Sequence, residues 1–238
     1  MKNKYLSFKS DKLLKPFIAF YFFVGFVEII AELFNDHFFI SISKPLLMPM
    51  LIAIYWISSK NRNKFFILAL LAVWFANLFF ISSSMICFTI GTLFFLVYRL
   101  LVIYLVLKTV KFPGSIPMII GALPFLFVYL FVANLSYHDA EYRFYLFIIQ
   151  GLVMILFGSL CLGSYIVKSN TSNTYLLIST MFFTIIQFVL VIKMFYLNYN
   201  IFRPLAMLFF IFGQYLLYLF IIIEEKKKKR YQIINKIN

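Results

Sequence analysis

The stretch SKPLLMPML (residues 43–51) places a lysine and two prolines at the start of an apolar segment long enough to cross a membrane. Pro45 suits the first turn of a helix, whereas Pro49 lacks the N–H that would bond the carbonyl of Pro45 and should bend the helix. The bend would turn Lys44 towards the interior of a helical bundle or towards the lipid headgroups. The stretch therefore predicts a membrane helix that begins with a charge and a distortion.

The rest of the sequence is equally apolar. Hydrophobic residues make up 64% of the 238 residues and charged residues 13%, against roughly 25% charged residues in a soluble domain. Because backbone groups in lipid must bond within their own segment, such apolar segments predict helices. We expect an all-α, polytopic integral membrane protein: one bundle of eight transmembrane helices over residues 1–238, with a basic tail at 224–238. The predicted spans are approximately 14–34, 40–58, 64–82, 86–107, 115–134, 143–167, 174–196 and 203–223.

The distribution of lysine and arginine predicts the orientation of the bundle. Seventeen of the 22 such residues lie on the inner side if both termini are cytoplasmic, and three (Lys44, Arg143 and Arg203) lie on the outer side. We therefore expect both termini inside, in a bacterial inner membrane. The net charge of +14, with the run EEKKKKR at 224–230, predicts anionic lipid headgroups as partners of the tail and no nucleic-acid partner.

Familiar catalytic and metal-binding patterns are not found in the sequence. Cys87 and Cys161 are isolated in apolar spans, and His37 and His138 lack a second ligand at a suitable spacing. We predict no metal and no cofactor. The glycines of GSLCLG (158–163) are typical of close helix packing in a membrane.

Polar side chains inside the predicted spans are the best guide to function, because ionisable groups at membrane depth cost about 2.5–3.5 kcal/mol or more. Glu28 and Glu32 are four residues apart and share one helical face in the predicted outer half. We expect them to share one interior pocket, open to the outer leaflet, with most of the other polar groups of the spans. Those groups are Lys44, Asn77, Arg99, Gln150, Gln187, Lys193 and Gln214.

Several of these residues could have structural roles instead of functional ones. Glu32 and Lys44 could extend to the headgroups, and single Asn or Gln side chains often serve as interhelical hydrogen-bond partners. Glu28 lies more than a turn inside its span and needs a partner or a proton. Lys44 is its nearest cation by topology, and Arg99 is the alternative.

The segment SKPLLMP resembles the KPL-x-x-P signature at the second span of the YhhN-like lysoplasmalogenase family. That resemblance implies eight spans and hydrolysis of the vinyl ether bond of lysoplasmalogens, which yields a fatty aldehyde and a glycerophospho-alcohol. Further segments resemble the third, fourth, seventh and last spans of the family: FILALLAVWFANLFFI (66–81), FTIGTLFFLVYRLLVIY (88–104), LISTMFFTIIQFVLVIKMFY (177–196) and LAMLFFIFGQYLLY (205–218).

The sequence departs from the family pattern at the positions that matter for chemistry. The resemblance implies Gly-Asp in the third span and Ser-Asp in the seventh, with the aspartates as candidate acid and base. Here these dipeptides are Ala76-Asn77 and Ile186-Gln187, and Arg99 stands where a histidine is common.

Vinyl ether cleavage needs a group that protonates the alkene carbon and a base that activates water. An amide does neither usefully near neutral pH, and Glu28 and Glu32 are the carboxyls that remain inside the predicted spans. The candidate catalytic residues are therefore Glu28, Glu32, Asn77 and Gln187. The candidate substrate-binding residues are Lys44, as a ligand of lipid phosphate, with Arg99, Gln150 and Gln214.

Three classes of function follow from this reading. The first is a lysoplasmalogenase-like hydrolase with an altered site, and the second is a catalytically silent relative that binds a lysophospholipid or another membrane lipid. The third is a small-solute transporter, which is disfavoured because the sequence shows no inverted repeat and no pair of spans broken by glycine and proline.

Overall fold

The computed structural model describes residues 2–82, 84–136, 143–195 and 199–237. Within these ranges the chain is helical, with no β-strand, which confirms the all-α prediction. Each predicted span corresponds to one helix, although the span 64–82 continues three residues beyond the end of α3 and the span 174–196 continues one residue beyond the described part of α7. The helices are α1 (Lys2–Phe34), α2 (His37–Ser58), α3 (Lys64–Phe79), α4 (Met85–Thr109), α5 (Ser115–Ser136), α6 (Arg143–Val167), α7 (Thr171–Phe195) and α8 (Phe202–Ile237).

Six of the helices contain a segment long and apolar enough to cross a membrane, namely α1, α2, α4, α6, α7 and α8. The apolar part of α5, Ser115–Phe131, is shorter, and α3 has only 16 residues. At 1.5 Å per residue, α3 is about 24 Å long, less than the roughly 30 Å of a hydrocarbon core. The protein is thus a bundle with several membrane-length helices, while the count of eight crossings stays a prediction.

Most helices that follow each other in the chain pack as neighbours, with α4 and α5 as the exception. The closest pairs are α1 with α2, α3 with α4, α5 with α6 and α7 with α8, and α8 also packs against α1. Large tyrosines such as Tyr21, Tyr55 and Tyr98 lie buried between the helices. Many phenylalanines point outward instead; the exposed fraction of Phe127, for example, is 73%. An apolar exterior around a partly polar interior is the pattern expected of a protein surrounded by lipid.

Pro45 and Pro49 both lie in the interior of α2, which begins at His37, so the prediction that Pro45 occupies the first turn is wrong. The predicted freeing of the Pro45 carbonyl is confirmed. Pro49 cannot donate to the carbonyl of Pro45, and that oxygen accepts a hydrogen bond of 2.8 Å from the indole nitrogen of Trp74 on α3. A backbone acceptor freed within a membrane helix must find another donor. The proline therefore creates a specific contact between α2 and α3.

Helices α5 and α6 approach each other at glycines. A Cβ atom on Gly121 would lie 2.8 Å from the carbonyl oxygen of Ser159, and one on Gly163 would lie 3.0 Å from that of Pro117. Neither position leaves room for a side chain. The prediction that GSLCLG provides close helix packing is thereby confirmed for Gly163.

Candidate functional site

A buried cluster of two carboxylates and one lysine joins α1 to α2. The Nζ atom of Lys44 lies 2.5 Å from Oε1 of Glu32 and 3.5 Å from Oε1 of Glu28. The hydroxyl of Ser43 lies 2.5 Å from Oε2 of Glu28. The exposed fractions of Glu28, Glu32 and Lys44 are 0%, 4% and 6%, so these side chains face the interior of the bundle rather than the headgroups. Lys44 is the partner of Glu28, as topology predicts.

The turn between the two helices sets this geometry. Asn35 ends α1 in the left-handed conformation, with φ of 55°, which asparagine tolerates better than most residues. The side chain of Asp36 then caps α2 by accepting hydrogen bonds from the backbone N–H groups of Phe38 and Phe39. Because the turn is so short, the last turns of α1 face the first turns of α2.

Two further cations lie at the edge of the cluster. The Nη1 atom of Arg203 lies 3.9 Å from Oε2 of Glu32 and donates to the side chain of Asn35 over 3.4 Å. Lys193, at the end of α7, is close enough to interact electrostatically with Arg203, Glu32 and Lys44. The Arg203 side chain is 41% exposed, so the cluster approaches the surface of the bundle on this side.

A second polar group surrounds Arg99 on α4. Its Nη1 atom donates to Oε1 of Gln187 over 2.7 Å, to Oε1 of Gln150 over 2.9 Å and to the backbone oxygen of Gln150 over 3.3 Å. The amide nitrogen of Gln150 donates in turn to the backbone oxygen of Thr92. The guanidinium also lies 4.9 Å from the ring of Phe95. No carboxylate of the described residues forms an ion pair with Arg99, although its exposed fraction is only 4%.

The remaining predicted site residues, Asn77 and Gln214, form no hydrogen bond or ion pair with either group. Gln214 on α8 accepts a hydrogen bond of 3.1 Å from the hydroxyl of Tyr98. Asn77 on α3 is buried, and its side-chain nitrogen has no hydrogen-bond partner among the described residues. A buried donor without a partner costs about 1–3 kcal/mol. The side-chain nitrogen of Gln214 also has no hydrogen-bond partner among the described residues.

The residues expected in one pocket therefore fall into two main groups. Glu28, Glu32 and Lys44 form one group, and Arg99, Gln150 and Gln187 form the other. No hydrogen bond or ion pair between described side chains joins the two. Gln187 also lines a small cavity of about 30 Å³ between α5, α6 and α7, whose other walls are mainly apolar.

A polar network at the other end of α2 was not expected from the sequence. The carboxylate of Glu225 accepts hydrogen bonds from the hydroxyl of Tyr55 and, over 2.5 Å, from that of Ser59. The hydroxyl of Tyr55 accepts from the backbone N–H of Asn63 over 2.7 Å. The only sequence signal was the position of Glu225 directly after an apolar span, within a run that otherwise indicates a charged membrane anchor.

The described residues contain no group of side chains suited to bind a metal ion. Within the described ranges, no three His, Cys, Asp or Glu side chains are placed to hold a metal ion. Cys161 is buried, Cys87 is half-buried and His37 is exposed, while His138 lies outside the described residues.

The fold and the buried polar groups define a helical, polytopic membrane protein with ionisable groups in its interior. The model of the YhhN family matches residues 39–221, well over half of the chain, and the chain therefore belongs to the YhhN family. Comparisons with curated proteins and with solved structures gave no match. The matched region contains Lys44, Asn77, Arg99, Gln150, Gln187 and Gln214, but it begins after Glu28 and Glu32. The correspondence of Asn77 and Gln187 to family aspartates stays a prediction.

Proposed function

We propose that this protein is a lysoplasmalogenase-type hydrolase of lysophospholipids, in which Glu28 and Glu32 provide the acid and base. In the reaction the alkene carbon of the vinyl ether gains a proton, and water adds to the resulting oxocarbenium ion. The hemiacetal then breaks down to a fatty aldehyde and a glycerophospho-alcohol. Membership of the YhhN family supports this class of substrate, and the buried Glu28–Lys44–Glu32 cluster is the observation that supports the chemistry.

The cluster can hold a proton without a net charge. One lysine faces two carboxyl groups, so a single proton on the pair would leave the three groups neutral overall. The hydroxyl of Ser43 has one hydrogen but lies within bonding distance of two acceptors, Glu28 and the carbonyl of Phe39. A proton on Glu28 would satisfy both contacts, because Glu28 would donate to Ser43 and Ser43 to Phe39. We therefore assign the acid role to Glu28 and the water-activating role to Glu32.

The same geometry changes the role expected of Lys44. Its ammonium group is bound to two carboxylates in the interior, so this arrangement gives no support to its direct binding of a lipid phosphate. We assign it instead to holding the carboxyl pair. Arg99 has only uncharged hydrogen-bond acceptors among the described residues, and its positive charge is therefore available to an anionic or oxygen-rich part of the substrate. Gln150 and Gln187 orient its guanidinium.

The test is release of fatty aldehyde from a lysoplasmalogen by the purified, full-length protein in lipid nanodiscs. We expect turnover in the wild type, and a fall of about 10²-fold or more in Glu28→Gln, because acid–base groups typically contribute 10²–10⁴. Glu224→Gln removes a carboxylate that pairs with Lys227 at the far end of the bundle and should retain turnover. Equal activity of the two variants would refute the assignment of the acid to Glu28.

A second candidate, a lipid-binding protein without catalysis, is favoured by two specific observations. Amides occupy positions 77 and 187, and neither Glu28 nor Glu32 lines either of the two cavities described for the bundle. This alternative predicts saturable lysophospholipid binding with no aldehyde released by the wild type. Weakened binding in Arg99→Gln without any turnover in the wild type would favour it over the hydrolase.

A further inference from the structure

A cavity of about 220 Å³ lies where the α2–α3 turn meets α8, at the opposite end of α2 from Lys44. The turn contributes residues 58–61 to its walls, and α8 contributes Ile222, Glu225, Lys226 and Lys229. From Lys44 to Ser58 is four turns of α2, or roughly 21 Å along the helix axis. The cavity is therefore separate from the proposed catalytic cluster, and neither of the assigned carboxyls contributes to it.

Hydrogen bonds between α2, the following turn and α8 hold the walls of this cavity together. Glu225 accepts from Tyr55 and Ser59, and the hydroxyls of Ser58 and Tyr218 lie 2.7 Å apart. The carboxylate of Glu225 has thus two hydroxyl donors of its own and forms no ion pair with a described lysine. Both hydroxyl donors come from α2 and the residue that follows it.

The lysines of the cavity lack the ion pairs that Lys44 and Lys227 form. Lys60, Lys226 and Lys229 form no ion pair with any described carboxylate, whereas the neighbouring Glu224 is bound to Lys227 at 2.5 Å. Three lysines therefore line the same cavity as one carboxylate that is already hydrogen-bonded. The cavity has an excess of positive charge and an amide side chain, Asn61, that can donate a hydrogen bond.

The position of the cavity indicates which anion would reach it. The apolar part of α8 continues through Ile223, so the lysines that follow lie at the boundary of the apolar zone, at headgroup depth. Basic pockets at such a boundary bind the phosphates of anionic lipids, to which each lysine contributes about 1 kcal/mol. We propose that this cavity binds the phosphate of an anionic phospholipid headgroup, with Lys60, Lys226 and Lys229 as its cationic ligands and Asn61 as a further donor.

The experiment measures binding of phosphatidylglycerol to the full-length protein in a neutral detergent, by native mass spectrometry and by the rise in melting temperature. The test variant is Lys60→Gln/Lys226→Gln/Lys229→Gln. The matched control is Lys108→Gln/Lys111→Gln/Lys168→Gln, which removes the same number of exposed charges from the same predicted side. We expect the test variant to bind at least about tenfold more weakly, and the control to bind as the wild type does.

Several outcomes would overturn the proposal. Equal losses in the test and control variants would show nonspecific attraction to the basic surface, and equal binding of phosphatidylcholine would show that the anionic charge is not recognised. Full competition by inorganic phosphate at similar concentration would identify a soluble phosphate as the ligand instead. A variant with arginine at all three positions should keep the binding, which separates loss of charge from loss of folding. The aldehyde assay is not involved, so this proposal and the proposed function can fail independently.

Discussion

Replacing Lys44 by methionine tests the central cluster most directly. The change keeps a long unbranched side chain but leaves Glu28 and Glu32 without their common cation, at exposed fractions of 0% and 4%. Removing one partner of a buried ion pair costs about 3–5 kcal/mol, because an uncompensated charge stays in a medium of low dielectric constant. In a chain of this size, each kcal/mol lost from the free energy of unfolding lowers the melting temperature by about 2–4 °C. The expected fall in melting temperature is therefore about 6–20 °C.

The assay is thermal unfolding of the purified protein in detergent, followed by tryptophan fluorescence. Lys111→Met, at an exposed position, is the control and should change the melting temperature little. The variant Lys44→Met/Glu28→Gln/Glu32→Gln removes all three ionisable groups together and should recover most of the loss. If Lys44→Met is no less stable than the control, or if the triple variant is less stable than Lys44→Met, the reasoning about this cluster is refuted.

Two further predictions concern hydrogen bonds between helices. Gln187→Glu should raise the melting temperature by about 2–4 °C, because a carboxylate at 2.7 Å from Arg99 forms a stronger, charge-assisted hydrogen bond. In an Arg99→Met background the same change should lower the melting temperature, because the carboxylate then has no cation. Trp74→Phe should lower stability by about 1–3 kcal/mol, since the carbonyl of Pro45 loses its donor, while Trp56→Phe at an exposed position should have a smaller effect. A rise in both Arg99 backgrounds, or equal effects of the two tryptophan changes, would contradict these explanations.

The helices and the nearest ion pairs could be predicted from the sequence because short-range physics determines them. The length of each apolar segment predicts a helix, and the spacing of Glu28 and Glu32 puts both carboxyls on one face of α1. A turn of few residues then leaves Lys44 as their nearest cation. Pro49 requires a new donor for the carbonyl of Pro45, although the sequence does not show that the donor is Trp74.

The arrangement of more distant helices could not be predicted in the same way. Arg99, Gln150 and Gln187 come from α4, α6 and α7, and their meeting depends on how those helices pack, which hydropathy does not specify. Depth in the membrane is also a poor guide to proximity, because residues at equal depth can face different neighbours. The expectation of a single pocket was based largely on depth, and no hydrogen bond or ion pair between described side chains joins the two groups.

The limits of the family match have a practical consequence for anyone who shortens this chain. Lys44 and Tyr55 both lie within residues 39–221, but their acidic partners Glu28, Glu32 and Glu225 all lie outside. A fragment cut to the shared region would expose a lone ammonium group to the lipid interior and free a tyrosine hydroxyl at the opposite end. The region that matches the family is thus smaller than the region needed to keep these polar contacts. Expression trials should therefore retain both flanking helical segments.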